Sequence, residues 1–227
     1  MVILRALVSA IKMFLAERKQ QIRFQKELNV RLEKGVQIDE SVKSIGEYTF
    51  IGSNTVLGPS CEKVGKFCSI ASDCLIGPNS HPISRFSTSS IFDALDANLR
   101  IDQKLKQTRK EQYNRNKVTI GNDVWIGAKV IILPGVQIGD GAIIGAGSIV
   151  TKDIGFYEIA VGNPSRIVKK RFSEDIIQKL IMSNIYEIES PSLLRILSDF
   201  QGLEMSEYID ELVESVALCK TDSILNQ

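Results

Sequence analysis

A six-residue period is the feature that most constrains this chain. Between Val118 and Val150 a β-branched aliphatic residue recurs at every sixth position, and glycine usually follows it. The six positions are Ile120, Ile126, Ile132, Ile138, Ile144 and Val150. A helix repeats its buried face near 3.6 residues and a strand near 2, so neither gives this spacing. The period predicts an all-β solenoid, a parallel β-helix in which three hexads make one coil.

The same period occurs upstream, in two runs joined by a seven-residue step. The aliphatic positions there are Ile45, Ile51, Leu57, Val64, Ile70 and Ile76. The period therefore covers about residues 36–80 and 118–168. We expect the segment GNPSRIV to resume the six-residue register and to form the last part of the solenoid.

Three cysteines lie in the first block of coils. Cys61, Cys68 and Cys74 occupy the small position of their hexads and are spaced more widely than typical metal ligands. We interpret them as small buried hydrophobic residues. Nothing in the cysteine pattern indicates disulfides, so we expect a reducing compartment and no metal.

The period divides the chain into three parts. Residues 1–34 form a predicted N-terminal helical segment, and residues 35–172 form the β-helix, interrupted by a loop insertion at 82–117. Residues 173–227 carry helical apolar spacing and form a predicted C-terminal helical tail, with Ser173 as an N-cap. We expect these helices to cover the exposed end of the last coil.

Charge excludes some functions and leaves others open. The net charge of +1 gives no argument for nucleic acid. Residues 1–34 hold eight Lys/Arg against three Asp/Glu, and this basic segment fits a weak contact with an anionic membrane surface. No run of apolar residues is long enough for a membrane span. The expected location is cytoplasmic, at most peripheral to the inner face of the membrane.

The single histidine, His81, lies where the first block of coils gives way to the insertion. A lone histidine is often a loop residue without a role. Here the neighbouring glycine, proline and serine residues can fix its direction, and long insertions in repeat proteins often build the binding face. Histidine has an ordinary pKa of about 6.5 and suits proton transfer near neutral pH.

Several motifs resemble the hexapeptide-repeat acyltransferases, in particular the xenobiotic-type acetyltransferases and the polysaccharide O-acetyltransferases. The segments are IGNDVWIGAKVIILPGVQIGDGAIIGAGSIVTKDI and GNPSRIVKKRF, and the resemblance runs from about Gly35 to Phe172. It implies a left-handed parallel β-helix, a homotrimer, and an active site shared between subunits that binds acetyl-CoA as co-substrate and needs no metal.

The resemblance also assigns roles to individual residues. It implies that His81 is the general base and that Asn79 and Trp125 line the acceptor site. The positions expected to meet the cofactor are Ala128, Ala146, Thr151 and Lys152, with Arg166 and Lys169 near its phosphates. No acidic residue adjoins His81 in the sequence, so the group that orients it stays open. A solvated surface charge is an equal interpretation for Lys169, and interface packing is an alternative for Trp125.

Three hypotheses follow from these features. The first is an acetyl-CoA-dependent O-acetyltransferase. The second, a γ-type carbonic anhydrase on the same solenoid, needs three histidine ligands for its zinc and is excluded by the single histidine. The third is a non-catalytic scaffold. Within the first, the hydroxyl-rich stretch ISRFSTSSIF favours a sugar or polysaccharide acceptor over an antibiotic such as chloramphenicol or a streptogramin.

Overall fold

The computed structural model describes residues 29–81, 83, 86–89 and 116–225. Its strands, in chain order, are β1 (Arg31–Leu32), β2 (Gln37–Ile38), β3 (Ser44–Ile45), β4 (Phe50–Ile51), β5 (Val56–Leu57), β6 (Cys61–Val64), β7 (Ser69–Ile70), β8 (Leu75–Ile76), β9 (Val118–Ile120), β10 (Trp125–Ile126), β11 (Ile131–Ile132), β12 (Gln137–Ile138), β13 (Ile143–Ile144), β14 (Ile149–Val150), β15 (Glu158–Val161) and β16 (Arg166–Lys170). The predicted N-terminal helix lies outside the described residues, except at its end. There the prediction is wrong, because β1 already belongs to the first coil.

The strands form three sheets that make the faces of a prism. Sheet A has the order β1-β4-β7-β10-β13-β15-β16, sheet B the order β14-β11-β8-β5-β2, and sheet C the order β12-β9-β6-β3. Successive coils pair in parallel, as in the pairs β10–β13 and β11–β14. The predicted fold, a left-handed parallel β-helix of about five turns followed by helices, is confirmed.

The coils differ in length at one corner. Ile51 pairs with Ile70, nineteen positions on, whereas Ile126 pairs with Ile144, eighteen positions on. The extra residue of the early coils falls in the seven-residue step between sheet B and sheet C, as from Leu57 to Val64. The insertion leaves the solenoid at this same B–C corner, between β8 and β9. This corner is therefore where the sequence departs from its period.

The aliphatic residue of each hexad points into the solenoid and stacks on the equivalent residue of the next coil. Ile51, Ile70, Ile126 and Ile144 form one such column, and all four are almost completely buried. The small positions are buried as well, and they include Val124, Val130, Val136, Ala142 and Ser148. Every coil thus buries the same set of side chains, which is why the period is so regular.

The hexad cysteines are buried, as predicted. The Cys68 thiol donates to the Gly121 carbonyl at 3.1 Å and the Cys74 thiol to the Gly127 carbonyl at 3.2 Å. Burial raises the pKa of Cys61 and of Cys68 to about 12. These thiols are protonated packing residues, because a reactive cysteine needs its thiolate form.

The end of the solenoid differs from the prediction. The segment GNPSRIV does not add another parallel hexad, because β16 runs antiparallel to β15 and pairs Val161 with Arg166. The hairpin forms because Gly162 has a φ of +101°, a conformation that favours glycine. Strand β16 covers the last edge of sheet A and is itself exposed along its whole length.

The helical tail contains α1 (Glu174–Ser183), a 3₁₀ turn at Ile185–Glu187, α2 (Ser190–Ser198) and α3 (Met205–Leu225). Ser173 caps α1 as predicted, accepting a hydrogen bond from the Ile176 amide. The tail does not cover the coil end, however. It packs along the corner between sheets C and A, where Lys66 Nζ donates to the Ile188 carbonyl at 3.3 Å. No helix in the described part of the chain is long and apolar enough to cross a membrane.

Candidate functional site

His81 extends from the B–C corner of the third coil. The backbone stays in register as far as Gly77, whose amide donates to the Ile132 carbonyl and whose carbonyl accepts from the Ser60 amide, both at 2.9 Å. Gly77 has a φ of +63°, and a Cβ there would lie 2.5 Å from the Cys61 nitrogen, so only glycine fits. Beyond it the chain leaves the solenoid, and Asn79 and His81 are both exposed.

Thr151 and Lys152 lie at the same B–C corner, in the fifth coil. They follow β14, and in sheet B only β11 lies between β14 and β8, the strand that precedes His81. The third and fifth coils are therefore two strand spacings of roughly 4.8 Å each apart. Both side chains are exposed. One edge of the prism therefore carries the predicted base and two of the predicted cofactor positions.

Ala128 and Ala146 lie at a different corner, between sheets A and B. They stack on each other, and the Gly147 amide donates to the Ala128 carbonyl at 2.8 Å. A Cβ on Gly127 would lie 2.5 Å from the Ala146 nitrogen, which explains the glycine in this turn. Within the described residues, the amides of Ala128 and Ala146 donate to no protein carbonyl. Both N–H groups are available to a ligand that approaches this corner.

Trp125 lies on the outer face of sheet A, next to the A–B corner. It pairs with Ser69 below and Ile143 above, and 55% of its surface is exposed. The side chain therefore presents a large aromatic surface outward.

Arg166 and Lys169 lie on the exposed strand β16. Ser165, immediately before Arg166, donates its amide to the Ile149 carbonyl at 2.8 Å, which places this turn at the end of sheet B. Arg166 Nη1 donates to the Ser165 carbonyl at 2.9 Å, and Lys169 pairs with Ile159 on sheet A. The two cations thus lie at the end of the solenoid that also carries Ala146 and Thr151.

The predicted site residues therefore form two groups on opposite borders of sheet B. The B–C corner and the A–B corner each hold several of them. His81, Asn79, Thr151 and Lys152 lie at the first, and Trp125, Ala128 and Ala146 lie at or beside the second. One chain does not bring Trp125 and His81 together, since sheet B separates them.

Among the described residues there is also no cluster of three His, Cys, Asp or Glu side chains that could hold a metal ion.

A polar cluster that was not predicted from the sequence joins the solenoid to the tail. Arg171 Nη1 donates to Asp123 Oδ2 at 3.0 Å and to the Gly141 carbonyl at 2.8 Å. Burial raises the pKa of Asp123, opposed mainly by Arg171, and raises the pKa of Tyr157 to about 12. The sequence carried no signal for this contact, because Asp123 and Arg171 are 48 positions apart in the chain. The cluster lies at the C–A corner, away from both groups of site residues, and its contacts are structural.

The repeat is also found in known proteins. Residues 117–152 match the family model described as bacterial transferase hexapeptide (six repeats). The chain therefore carries the hexapeptide repeat of that family, and the predicted resemblance is confirmed. No curated protein sequence matches the chain.

Solved structures give weaker likenesses. A hexapeptide-repeat-containing acetyltransferase from Vibrio cholerae is 19% identical, with 69% of this chain and 82% of that chain covered and a TM-score of 0.47. A serine acetyltransferase from Neisseria gonorrhoeae is 22% identical, with 66% and 41% covered and a TM-score of 0.36. A galactoside acetyltransferase in complex with coenzyme A is 24% identical, with 70% and 72% covered and a TM-score of 0.38. This chain thus spans less than half of the length of the serine acetyltransferase.

Proposed function

We propose that this protein is an acetyl-CoA-dependent O-acetyltransferase that acts on a hydroxyl of a sugar or polysaccharide. The observation that carries the proposal is the position of His81. The only histidine of the chain is exposed at the corner where a transferase-type hexapeptide solenoid opens into its insertion. A scaffold has no need of an exposed base at this corner. The buried thiols of Cys61, Cys68 and Cys74 fit a reducing, cytoplasmic location.

In this mechanism His81 removes the proton of the acceptor hydroxyl as its oxygen attacks the thioester carbonyl of acetyl-CoA. An alcohol is a poor nucleophile until its proton is being taken, and histidine is the usual side chain for that task. A C–O bond forms, and the carbonyl oxygen becomes an oxyanion. The Ala128 amide is the proposed donor to that oxyanion. The C–S bond then breaks, and His81 returns the proton to the CoA thiolate.

The geometry of a single chain supports a site shared between copies. The base and the proposed oxyanion donor border sheet B on opposite sides, so a second chain must contribute one of the two groups. Sheet B is suited to such a contact, because its outward row is aliphatic and only partly exposed from β5 to β14, through Val56, Leu75, Ile131 and Ile149. It is also the face opposite the corner that the helical tail covers. We therefore propose a homotrimer with acetyl-CoA bound between neighbouring solenoids.

A hydrophobic alcohol is a second candidate for the acceptor. The described residues at the base of the insertion include Ile83 and Phe86, which are 91% and 104% exposed. An apolar surface at this position favours a hydrophobic acceptor such as an antibiotic alcohol. The hydroxyl side chains of Ser87, Thr88 and Ser89, which follow directly, instead favour hydrogen bonds to a sugar. An acceptor panel separates the two candidates.

The test of the activity is release of free CoA thiol from acetyl-CoA in the presence of sugars, oligosaccharides and antibiotic alcohols. We expect thiol release that depends on one class of acceptor and is lost in the His81→Ala variant. If wild-type protein releases no thiol with any acceptor and does not bind acetyl-CoA, the scaffold hypothesis replaces the proposed function.

The test of the shared site mixes two inactive variants. His81→Ala removes the base, and Ala128→Trp fills the A–B corner. If one site takes His81 from one copy and the Ala128 corner from another, co-expressed mixed trimers contain some intact sites and regain activity. Activity that stays absent in mixed trimers, or a wild-type chain that light scattering finds to be a stable monomer, contradicts the shared site.

A further inference from the structure

The three faces of the solenoid differ in chemistry. The outward rows of sheets A and B contain the apolar residues Phe50, Trp125, Ile143, Val56, Leu75, Ile131 and Ile149. The outward row of sheet C is Ser44, Lys63, Thr119 and Gln137, with no apolar member. Sheet C is thus unsuited to a contact between apolar faces.

Sheet C nevertheless forms the floor of a groove. Two adjoining hollows of about 520 and 500 Å³ share Lys63, Gly65, Asn122, Asp140 and Phe156. The helical tail forms one wall, through residues that include Ile181 and Glu187. The tail therefore turns a flat polar sheet into a concave surface of the size of a ligand site.

The polar groups that line this groove are held in place and can still bond to a ligand. Asp140 Oδ1 accepts from the Asn122 amide at 2.6 Å and from Asn122 Nδ2 at 3.2 Å, and Asp153 Oδ1 accepts from the Gln137 amide at 2.7 Å. Among the described residues, no donor is bound to the second oxygen of either carboxylate, and no acceptor is bound to Lys63 Nζ. A carboxylate has about four lone-pair sites, so both can accept from a ligand.

The groove also has an aromatic surface. Phe156 lines both hollows and is 47% exposed, although a buried position is the usual place for phenylalanine. A ligand that is covered with hydroxyls on its edges and has an apolar face can pack that face on the ring. The edges can then bond to the carboxylates and the lysine.

We propose that the groove on sheet C binds an uncharged oligosaccharide. Sugar hydroxyls both donate and accept, and they match a lining that mixes Lys63 with Asp140 and Asp153. A phosphate-rich ligand needs a lining dominated by cations, and an apolar peptide needs an apolar floor. Here Lys63 and Lys66 are balanced by Asp140, Asp153 and Glu187, and the outward row of sheet C has no apolar member.

The groove ends beside the corner that carries His81. Gln137 Nε2 donates to the Lys117 carbonyl at 2.9 Å, and Lys117 Nζ donates to the Pro59 carbonyl at 2.9 Å, at the B–C corner. An oligosaccharide on sheet C that extends past Gln137 therefore reaches the place where the insertion joins the coils. The inference rests on the proposed function only for the further claim that this oligosaccharide is part of the acceptor.

The experiment measures binding of maltohexaose and chitohexaose to the full chain by calorimetry, without acetyl-CoA. We expect at least one of them to bind, and Phe156→Ala to weaken that binding roughly tenfold, a loss of about 1.4 kcal/mol. Thr119 lines the groove, and its hydroxyl donates to Gln137 Oε1 and can still accept from a ligand. Thr119→Val keeps the β-branched shape and removes that hydroxyl, and should weaken binding roughly fivefold. The control Met182→Ala removes another exposed apolar side chain, on α1 and outside the groove, and should bind as the wild type does.

Two results overturn the proposal. One is the absence of binding of both probes at millimolar concentration, and the other is binding that Phe156→Ala and Thr119→Val leave unchanged. Because acetyl-CoA is left out, the outcome is independent of turnover. If the protein binds maltohexaose but never releases CoA thiol, the groove proposal stands and the proposed function is wrong. If it releases CoA thiol but binds neither oligosaccharide, the proposed function stands and the groove proposal is wrong.

Discussion

The coils and the helical tail bury their apolar residues in two different ways. In the coils, equivalent aliphatic side chains stack in columns, and each coil repeats the contacts of the one before it. In the tail, a separate cluster gathers residues from three helices around Leu193 and Leu212, and reaches the solenoid through Tyr157 and Phe67. The core of the coils is made of many equivalent contacts between stacked side chains. The core of the tail depends on a small number of contacts that do not repeat.

This difference also separates the functions of the two regions. Most of the proposed catalytic and cofactor residues lie at corners of the coils, and Arg166 and Lys169 lie on β16 at the end of the solenoid. The tail contributes one wall of the sheet C groove and a clamp at the C–A corner, formed by Arg171 and Asp123. Changes in the coils should therefore affect chemistry and global stability, and changes in the tail should act locally.

The largest expected effect is on activity. Replacing His81 with Ala should lower kcat by roughly 10²–10⁴-fold, the usual contribution of a general base. Acetyl-CoA affinity and thermal stability should change little, because His81 is exposed and is not itself one of the proposed cofactor positions. Steady-state kinetics with the identified acceptor and a melting curve check both statements. Wild-type kcat in this variant would remove His81 from the mechanism.

The next effect tests the columns of the solenoid. Ile132 is completely buried in β11, so Ile132→Ala should cost about 2–5 kcal/mol of unfolding free energy. Its neighbour Ile131 points outward on the same strand, and Ile131→Ala should cost much less. Denaturant unfolding of both variants measures the difference. Equal losses would mean that burial inside the coil is not what stabilises it.

Ile131→Ala has a second use. Because Ile131 belongs to the outward row of sheet B, the variant should weaken the proposed trimer while leaving the monomer fold intact. Light scattering over a range of protein concentrations measures this directly. A trimer that is as stable as the wild type would place the subunit contact on another face.

A smaller effect is expected at the clamp between the coils and the tail. Arg171→Met keeps the aliphatic stem and removes the hydrogen bonds to Asp123 and the Gly141 carbonyl. With both partners of the ion pair partly exposed, at 26% and 41%, the cost should be about 1–2 kcal/mol. Amide hydrogen exchange should become faster in the tail helices and stay unchanged in the coils.

The matched control is Lys179→Met, which breaks the surface ion pairs with Asp175 and Asp210. Exposed pairs of this kind contribute little, so exchange in the tail should not change. If both variants accelerate exchange equally, or if Arg171→Met loosens the coils as well, the tail is not a separately stabilised unit.

The sequence predicted the coils almost completely, and the reason is their repetition. Ile126 and Ile144 occupy equivalent positions, so one period assigns both strands, their inward faces and their pairing. The hairpin of β15 and β16 and the position of the tail were predicted wrongly. They depend on single features, such as the positive φ of Gly162 and the contacts of Arg171, which no period reveals.

The candidate site shows the same limit. The sequence predicted His81 and Trp125 as site residues one by one, from residue type and from resemblance. The corner at which each residue lies depends on how many positions separate it from the preceding inward-pointing aliphatic residue. The three-dimensional structure was needed to show that the candidate residues divide between the two borders of sheet B. The groove on sheet C had no sequence signal, because its wall comes from the tail, far along the chain.

The smallest expected effect concerns the start of the tail. Ser173 accepts a hydrogen bond from the Ile176 amide at a long 3.5 Å, so Ser173→Ala should cost only about 0.5 kcal/mol, the lower end for an N-cap. Ser173→Asp restores an acceptor at the N-terminus of α1 and should recover the loss. Because α1 belongs to the separate core of the tail, the change should appear as faster amide exchange in α1 and leave the coils unaffected. If amide exchange in the coils also becomes faster, the two cores unfold together. The coils and the tail would then differ in how they pack but not in how they unfold.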